Sequence, residues 1–286
     1  MKKAIMIIIS LCLATLLGGT ASADITDNLV AYYPFNGNAN DESGNGNHGT
    51  VYYAQPIEDH CGERFDFDGE ASYVEILYSP QMEPTAFSLS LWFQTNMSSI
   101  GTMWSSDNAD RKCTHGVNLL MEKGKVKFAV DRVGCGANGK RIFSNDRLND
   151  GEWHHVVAIY KGKRQTNGRI KGDLEMYVDG AKQDDSKYGR YDPTGAIIRI
   201  GNKRRWAGGK QEVENKFFFE GIIDEVRLYS SVLSESEIED LYDQGPCDVY
   251  DCACTDFDHD GVPDAWDYCP HTPPGSPVYS DGCAAY

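Results

Sequence analysis

Short segments in which apolar and polar residues alternate make up most of the chain between residues 73 and 229. In residues 87–94 apolar side chains occupy every second position, which predicts a strand with one buried and one exposed face. Residues 173–179 alternate in the same way and end at an Asp179-Gly180 turn. Residues 153–160 are apolar on both faces, as in a central strand. Further strands are predicted at residues 73–77, 117–121, 126–130, 197–200, 216–219 and 222–229.

These nine predicted strands are closely spaced and separated by Gly, Asn and Asp. The pattern indicates an all-β fold, an antiparallel jelly-roll sandwich. One short helix is predicted after the last strand, because Ser234 and Glu237 form a capping box. Ile238 and Leu241 give this helix an apolar stripe, and Gly245 is a typical stop.

The first 23 residues have the form of a secretory signal. Lys2 and Lys3 precede an apolar run that ends in small residues at Ala21-Ser22-Ala23. No downstream run reaches the roughly 20 apolar residues that a membrane-spanning helix needs. We therefore expect a secreted protein, extracellular or periplasmic, that begins at Asp24 and is not inserted in a membrane.

The charge of the chain excludes a class of partners and marks a domain boundary. With 27 Lys and Arg against 43 Asp and Glu, the net charge is −16, so nucleic acid and anionic membranes are poor partners. Residues 228–286 contain thirteen acidic residues and no Lys or Arg. The shift predicts a signal peptide at 1–23, a jelly-roll domain at 24–245 and a cysteine-rich acidic unit at 246–286.

Eight cysteines remain after the signal is removed, and an even number in an oxidising compartment predicts disulfide bonds. Residues 117–121 and 126–130 form a predicted hairpin that turns at Lys123-Gly124-Lys125, so that facing residues have numbers summing to about 248. Cys113 and Cys135 satisfy that sum, and we expect them to form a cross-strand disulfide. Zinc is disfavoured because the chain lacks paired Cys-x-x-Cys motifs.

Several motifs occur in a fixed order along the first unit. They are residues 29–35, the Asn-rich turn at 41–49, the turn at 67–69, Gly-Glu-Trp-His-His-Val at 151–156, Tyr-Val-Asp-Gly at 177–180, and residues 221–229 before Leu233-Ser234. Together they resemble the bacterial laminin-G-like domains of the concanavalin-A-like lectin/glucanase superfamily. The resemblance covers residues 29–244 and implies the jelly-roll fold. It does not fix the function, because this fold hosts binding modules, adhesion modules and glycanases.

The same resemblance implies a structural calcium between the Asn-rich turn and a late strand. In this chain it nominates Asp41 and Asp224 as ligands. Two alternatives remain open: Asp41 could form an Asx-turn, and Asp224 could pair with an arginine.

The acidic unit contains a second candidate calcium site. Six residues occupy positions 1, 3, 5, 7, 9 and 12 of a calcium loop, and Gly261 stands where that loop turns sharply. These residues are Asp256, Asp258, Asp260, Val262, Asp264 and Asp267. Residues 256–283 resemble a bacterial thrombospondin type 3 repeat, which implies calcium as the cofactor and a disulfide between Cys269 and Cys283. The alternative is a solvated acidic linker.

A ligand face is predicted from aromatic and basic residues in two segments, 104–115 and 188–206, that we expect to be loops. Sugar rings stack on exposed aromatic side chains that have polar groups beside them, and loops concentrate binding residues. The candidates are Trp104, Arg111, His115, Tyr188, Tyr191, Arg204, Arg205 and Trp206. Each aromatic candidate could instead be ordinary core packing.

Catalytic patterns are missing from the sequence. Glycosidases of this fold place two or three carboxylates on alternate positions of one strand, and the chain has no Glu-x-Asp-x-Glu sequence. His154 and His155 are adjacent on a predicted strand and so point to opposite faces. We therefore expect a non-catalytic binding module with a glycan or cell-surface ligand. An adhesive module for a protein partner and an unrecognised glycanase or lyase are the alternatives.

Overall fold

The computed structural model describes residues 25–59, 62–106, 116–131, 139–207 and 212–246, together with Cys269. Within these residues the chain forms eighteen β-strands, one 3-10 turn (Pro80–Met82) and one α-helix, α1 (Glu235–Asp243). The strands are numbered in chain order. Each strand pair in the described ranges is antiparallel. The prediction of an antiparallel all-β sandwich with one short helix is confirmed.

The strands belong to three sheets. The nine-stranded sheet contains β1 (Leu29–Tyr33), β3 (Gln55–Asp59), β4 (Gly62–Asp68), β6 (Phe87–Gln94), β11 (Trp153–Arg164), β12 (Ile170–Val178), β13 (Ala181–Lys182), β14 (Lys187–Tyr191) and β18 (Glu220–Tyr229). The seven-stranded sheet contains β2 (Gly49–Tyr52), β5 (Tyr73–Ile76), β7 (Gly101–Ser105), β8 (Gly116–Glu122), β9 (Lys125–Asp131), β10 (Lys140–Phe143) and β15 (Ile198–Ile200). The strands β16 (Lys203–Ala207) and β17 (Glu212–Lys216) pair with each other.

The main path of the nine-stranded sheet runs β13-β12-β11-β6-β18-β4-β3, with β1 paired to β18 and β14 paired to β12. The order of the seven-stranded sheet is β10-β9-β8-β7-β15-β5-β2. One large apolar core contains side chains of both sheets, among them Leu91 and Val156 of the first and Leu119 and Ile200 of the second. Burial of this apolar surface is the main force that holds the sandwich together.

A second, smaller core lies on the other face of the nine-stranded sheet. Strand β11 contributes Val157 and Ile159 to it, and α1 contributes Ile238 and Leu241. This core corrects the prediction for residues 87–94, which were expected to have one exposed face. The alternate side chains of β6 on that face are buried, including Ser88, Ser90 and Trp92.

Two local predictions differ from the structure. The predicted strand at 216–219 does not form, because Phe217 has a left-handed backbone (φ 54°) that separates β17 from β18. The β8–β9 hairpin forms, but Lys123 (φ 57°) and Gly124 (φ 79°) make a two-residue turn, so that Lys125 pairs with Glu122. Facing residues such as Val117 and Val130 therefore sum to 247 and not 248.

Candidate functional site

An open cleft of about 460 Å³ lies between α1 and the turn that joins β12 to β13. Both of its walls carry polar and aromatic side chains. The strand wall supplies Tyr177, Asp179, Gly180, Ala181 and Lys182, and the helix wall supplies Glu235, Glu239, Tyr242 and Asp243. Small-ligand sites are concave and combine aromatic side chains with placed polar groups, and this cleft offers both, with more charged residues than most such sites.

The helix wall is fixed by capping and by burial. The Ser234 side chain accepts a hydrogen bond from the Glu237 backbone N–H, and the Glu237 side chain accepts one from the Ser234 backbone N–H. This is the predicted capping box. Ile238 and Leu241 are buried in the second core. Because residues on one side of a helix are anchored in this way, the orientation of Tyr242 toward the cleft is set by the sequence.

Tyr242 is held by a stack of rings. Its ring lies 5.6 Å from the ring of Trp92, at an interplanar angle of 12°. Trp92 in turn stacks on His155, with ring centroids 5.0 Å apart. The Tyr242 side chain is 37% exposed although its neighbours Trp92 and His155 are buried. It therefore presents a rigid, partly exposed aromatic surface to the cleft.

The strand wall is linked to the helix through a polar chain. Glu175 pairs with Lys161 (2.8 Å) and with Lys182 (3.0 Å). Burial opposes the charge of Glu175, but hydrogen bonds from the two lysines lower its pKa. The ammonium group of Lys182 lies 5.7 Å from the centroid of the Tyr177 ring. The Tyr177 hydroxyl donates a hydrogen bond to Glu235 Oε1 on the helix (3.3 Å).

Asp179 forms the rim of the strand wall. It has a left-handed backbone (φ 48°), as does Gly180 (φ 72°), which is the geometry expected for the predicted turn. Asp179 Oδ1 accepts the His155 backbone N–H (2.9 Å), and Oδ2 lies 2.8 Å from His154 Nδ1. The other ring nitrogen of His154 lies 3.1 Å from Asp150 Oδ1. The hydrogen bond to Asp179 raises the pKa of His154, and Asp150 adds to the effect.

Ser90 and His155 approach each other in a way that resembles a nucleophile and its base. Ser90 Oγ lies 2.7 Å from His155 Nε2. Both residues are buried, and burial lowers the pKa of His155 to about 3. His155 Nδ1 has no hydrogen-bond partner among the residues that the structure describes, whereas a catalytic histidine is oriented by such a partner. We interpret this pair as part of the packing beneath Tyr242.

Two aromatic residues of the predicted ligand face lie in the core. Trp104 (2% exposed) is in strand β7 and Tyr191 (1% exposed) is in β14, and both belong to the main core. Their prediction as loop residues available to a ligand was wrong, because their strands turn these rings toward the facing sheet. Tyr188 is 56% exposed but also lies in β14.

Five candidates of that face remain, and of these the described side chain, Arg204, is not among the residues that line the cleft. Arg204 is half-buried on β16, and the backbone of Arg205 and Trp206 continues the same strand. Arg111 and His115 lie outside the described residues.

The carboxylates of Asp41 and Asp224 both accept hydrogen bonds from backbone N–H groups. Asp41 accepts the backbone N–H groups of Tyr32, Ser43 and Asn47. Burial opposes ionisation of Asp41, but these hydrogen bonds lower its pKa. The carboxylate of Asp224 is buried and accepts the Glu225 N–H (3.0 Å). Burial, together with the charge of Glu225, raises its pKa.

Within the described ranges, no group of three or more His, Cys, Asp or Glu side chains could hold a metal ion. Calcium at Asp41 and Asp224 therefore stays a prediction.

The cysteine and tail predictions fall largely outside the described residues. Cys113 and Cys135 are among the residues outside. Facing residues of the β8–β9 hairpin have numbers that sum to 247, so the register does not place Cys113 directly opposite Cys135, whose numbers sum to 248. Cys269 is disulfide-bonded, but its predicted partner Cys283 lies outside. The calcium-loop candidates Asp256, Asp258, Asp260, Val262, Asp264 and Asp267 lie outside as well. None of the helices in the described part of the chain is long and apolar enough to cross a membrane.

A family model and several curated proteins match the chain. The model described as "Concanavalin A-like lectin/glucanases superfamily" (Laminin_G_3) matches residues 68–239. Adhesion G-protein coupled receptor V1 of Danio rerio is 27% identical over 183 residues, which are 62% of this chain and 3% of that protein. Neurexin-2 of Rattus norvegicus is 29% identical over 106 residues, which are 34% of this chain and 6% of that protein. The chain thus spans only a small part of these relatives.

Solved structures share the fold. The binding domain of Paraclostridial Mosquitocidal Protein 1 aligns with a TM-score of 0.58 and 17% identity, covering 77% of this chain and 52% of that chain. The binding domain of botulinum neurotoxin DC in complex with SialylT aligns with a TM-score of 0.56 and 12% identity, with the same two coverages. At these identities the similarity concerns the fold alone.

Proposed function

Because the chain belongs to the concanavalin A-like lectin/glucanases superfamily, we propose that it is a secreted, non-catalytic binding module with a glycan bound in the cleft beside α1. The observation that carries this proposal is the stack of Tyr242 on Trp92. Tyr242 offers a preorganised ring, and carboxylates and a tyrosine hydroxyl stand beside it. Sugars bind to such combinations of an aromatic ring with polar groups.

The related structures add support of a limited kind. Two of them are named binding domains, and one of these is in complex with SialylT. The cleft itself favours binding over hydrolysis. Its helix carboxylates, Glu235, Glu239 and Asp243, are exposed on the surface of α1, whereas the acid of a glycosidase typically lies in an apolar pocket.

Replacement of Tyr242 tests this proposal. We expect Tyr242→Ala to weaken binding of the glycans that the wild-type protein captures on an array by about tenfold, as truncation of a well-packed aromatic contact does. Tyr188→Ala is the matched control, because it removes a more exposed tyrosine from β14, and this residue does not line the cleft. Equal affinities for wild type and Tyr242→Ala would contradict the proposed site. A loss confined to Tyr188→Ala would instead support the ligand face predicted from the sequence.

A second candidate function is adhesion to a protein partner, which the name of the Danio rerio relative, an adhesion receptor, favours. In that case the wild-type protein would bind no glycan on the array. It would bind a cell surface from which glycans have been enzymatically removed, and protease treatment of the cells would abolish the binding.

We also propose that residues 246–286 form a calcium-binding repeat. The six candidate ligands supply alternating carboxylates and one carbonyl, the hard oxygen ligands that calcium prefers. Because few apolar residues are present in this unit, we expect metal binding and local folding to be coupled.

Calorimetry on the whole protein tests the repeat. We expect calcium binding with a Kd of about 10⁻⁴ to 10⁻³ M, the range of extracellular modules. Asp258→Ala should weaken it by about tenfold or more, because one carboxylate ligand is lost. Asp248→Ala, an acidic residue outside the ligand spacing, is the control. If Asp258→Ala and Asp248→Ala bind calcium as wild type does, the proposed ligand set is wrong.

A further inference from the structure

His154 lies behind the strand wall, between the carboxylate of Asp179 on the rim of the cleft and that of Asp150. His154 lies on the face of β11 opposite to His155, and its ring contacts the ring of Phe93 on β6 (5.8 Å). Asp179 approaches one ring nitrogen from the β12–β13 turn, and Asp150 approaches the other from the turn before β11. Among the described residues, these two carboxylates are the charges that act on the ring, and Phe93 is uncharged.

Only a protonated imidazole satisfies this arrangement. The cation has two N–H donors and so donates to Asp179 and Asp150 at the same time, whereas the neutral ring has one donor and one acceptor. After loss of the proton, the two carboxylates share a single N–H, and a lone pair faces one of them. Hydrogen bonds that involve two charged groups are also stronger than neutral ones, so deprotonation weakens the contact that is retained.

Asp179 transmits this change to the ligand site. Its carboxylate joins the rim of the cleft to β11 through both oxygens, Oδ1 to the His155 N–H and Oδ2 to His154. The residues that follow, Gly180, Ala181 and Lys182, form the rest of the strand wall. When Asp179 is held less firmly, the strand wall is less ordered before binding. Ordering it on binding then costs free energy, which reduces the affinity for the ligand.

We propose that His154 is a positioning residue that makes ligand binding in the cleft depend on pH, with tighter binding when the imidazole is protonated. This inference rests on the proposed function, because it concerns the same cleft. The raised pKa of His154 agrees with the geometry. A histidine whose pKa is higher in the folded than in the unfolded state stabilises the fold fully below the unfolded value, about 6.5. That contribution is lost as the pH rises through the folded pKa.

Binding titrations of a captured glycan between pH 5.5 and 9 test the proposal. For the wild type we expect affinity to fall by about two- to fivefold as pH rises, the effect of one partly exposed ion pair. The midpoint should coincide with the His154 pKa measured by NMR. Asp150→Asn, at an exposed position, should move both midpoints to lower pH. His154→Gln should bind with no such midpoint. An unchanged pH profile in His154→Gln would overturn the proposal.

A ligand-free measurement separates this proposal from the proposed function. In the wild type, the protection factor of the Ala181 amide should fall as pH rises through the His154 pKa, and in Asp150→Asn the fall should shift with that pKa. Protection that does not follow the His154 pKa would overturn the inference, even if Tyr242→Ala had abolished binding. If Tyr242→Ala binds as wild type while the protection of the Ala181 amide follows the His154 pKa, the proposed function is wrong, but the coupling of His154 to the strand wall is supported.

Discussion

Trp104→Ala is expected to destabilise the protein by about 3 to 5 kcal/mol, the usual range for truncation of a buried tryptophan. Trp104 is 2% exposed in β7 and lies in the main core between the two sheets. It lines a small internal space with Phe87, Leu89 and Tyr191. The lost ring would leave a cavity there, because close-packed neighbours relax only in part. Urea or guanidinium unfolding of the purified variant measures the change.

The control for this prediction is Tyr188→Ala. Tyr188 was predicted from the sequence for the same role, yet it is 56% exposed, so its replacement should change stability by less than about 0.5 kcal/mol. The pair separates a core residue from a surface residue. A Trp104→Ala protein as stable as the wild type, but deficient in ligand binding, would show that the ring belongs to a binding face.

Arg227→Met is expected to destabilise the protein by about 3 to 5 kcal/mol, because it removes one partner of a buried ion pair. Arg227 (8% exposed) pairs with Glu225 (6% exposed) on β18. Its guanidinium lies 4.1 Å from the centroid of the Tyr32 ring, and the Tyr32 hydroxyl donates to both oxygens of Glu225. Attraction to Glu225 overcomes the effect of burial and raises the pKa of Arg227.

Chemical unfolding of single and double variants measures this coupling. Glu225→Gln removes the charge of Glu225 but keeps the size of the side chain. Both residues also place a Cβ on the same left-handed backbone (φ 52°). Arg227→Met combined with Glu225→Gln should therefore lose less stability than Arg227→Met alone, since the double variant removes both charges of the pair. Strictly additive losses in the two single variants and the double variant would contradict the coupling.

Much of the sandwich could be predicted from the sequence, because side-chain alternation reports directly which face of a strand is buried. The capping box likewise places α1, since both of its hydrogen bonds are local. Burial on the second face of β6 was not predictable in the same way. Ser88 and Ser90 indicate an exposed face, but both are buried. Ser88 Oγ bonds the Ser231 carbonyl and the Leu233 N–H in the segment before α1, and Ser90 contacts His155.

The candidate site was missed for a related reason. Tyr242 and Trp92 are far apart in the sequence, and the ring stack exists only after the helix packs on the sheet. The sequence did contain one indication of the site. The apolar stripe of α1 after the last strand must pack against some part of a neighbouring sheet. The prediction that Trp104, Tyr188 and Tyr191 lie in loops was wrong, because these segments pair into strands β7 and β14. Exposure of an aromatic ring cannot be derived from its residue type.

Hydrogen exchange of the protein with and without a captured glycan tests the central claim, that the cleft between α1 and the β12–β13 turn is the ligand site. We predict slower exchange on binding in residues 177–182 and 239–243, with no change in β14 or β16. Protection confined to β14, to β16 or to the tail would contradict the account.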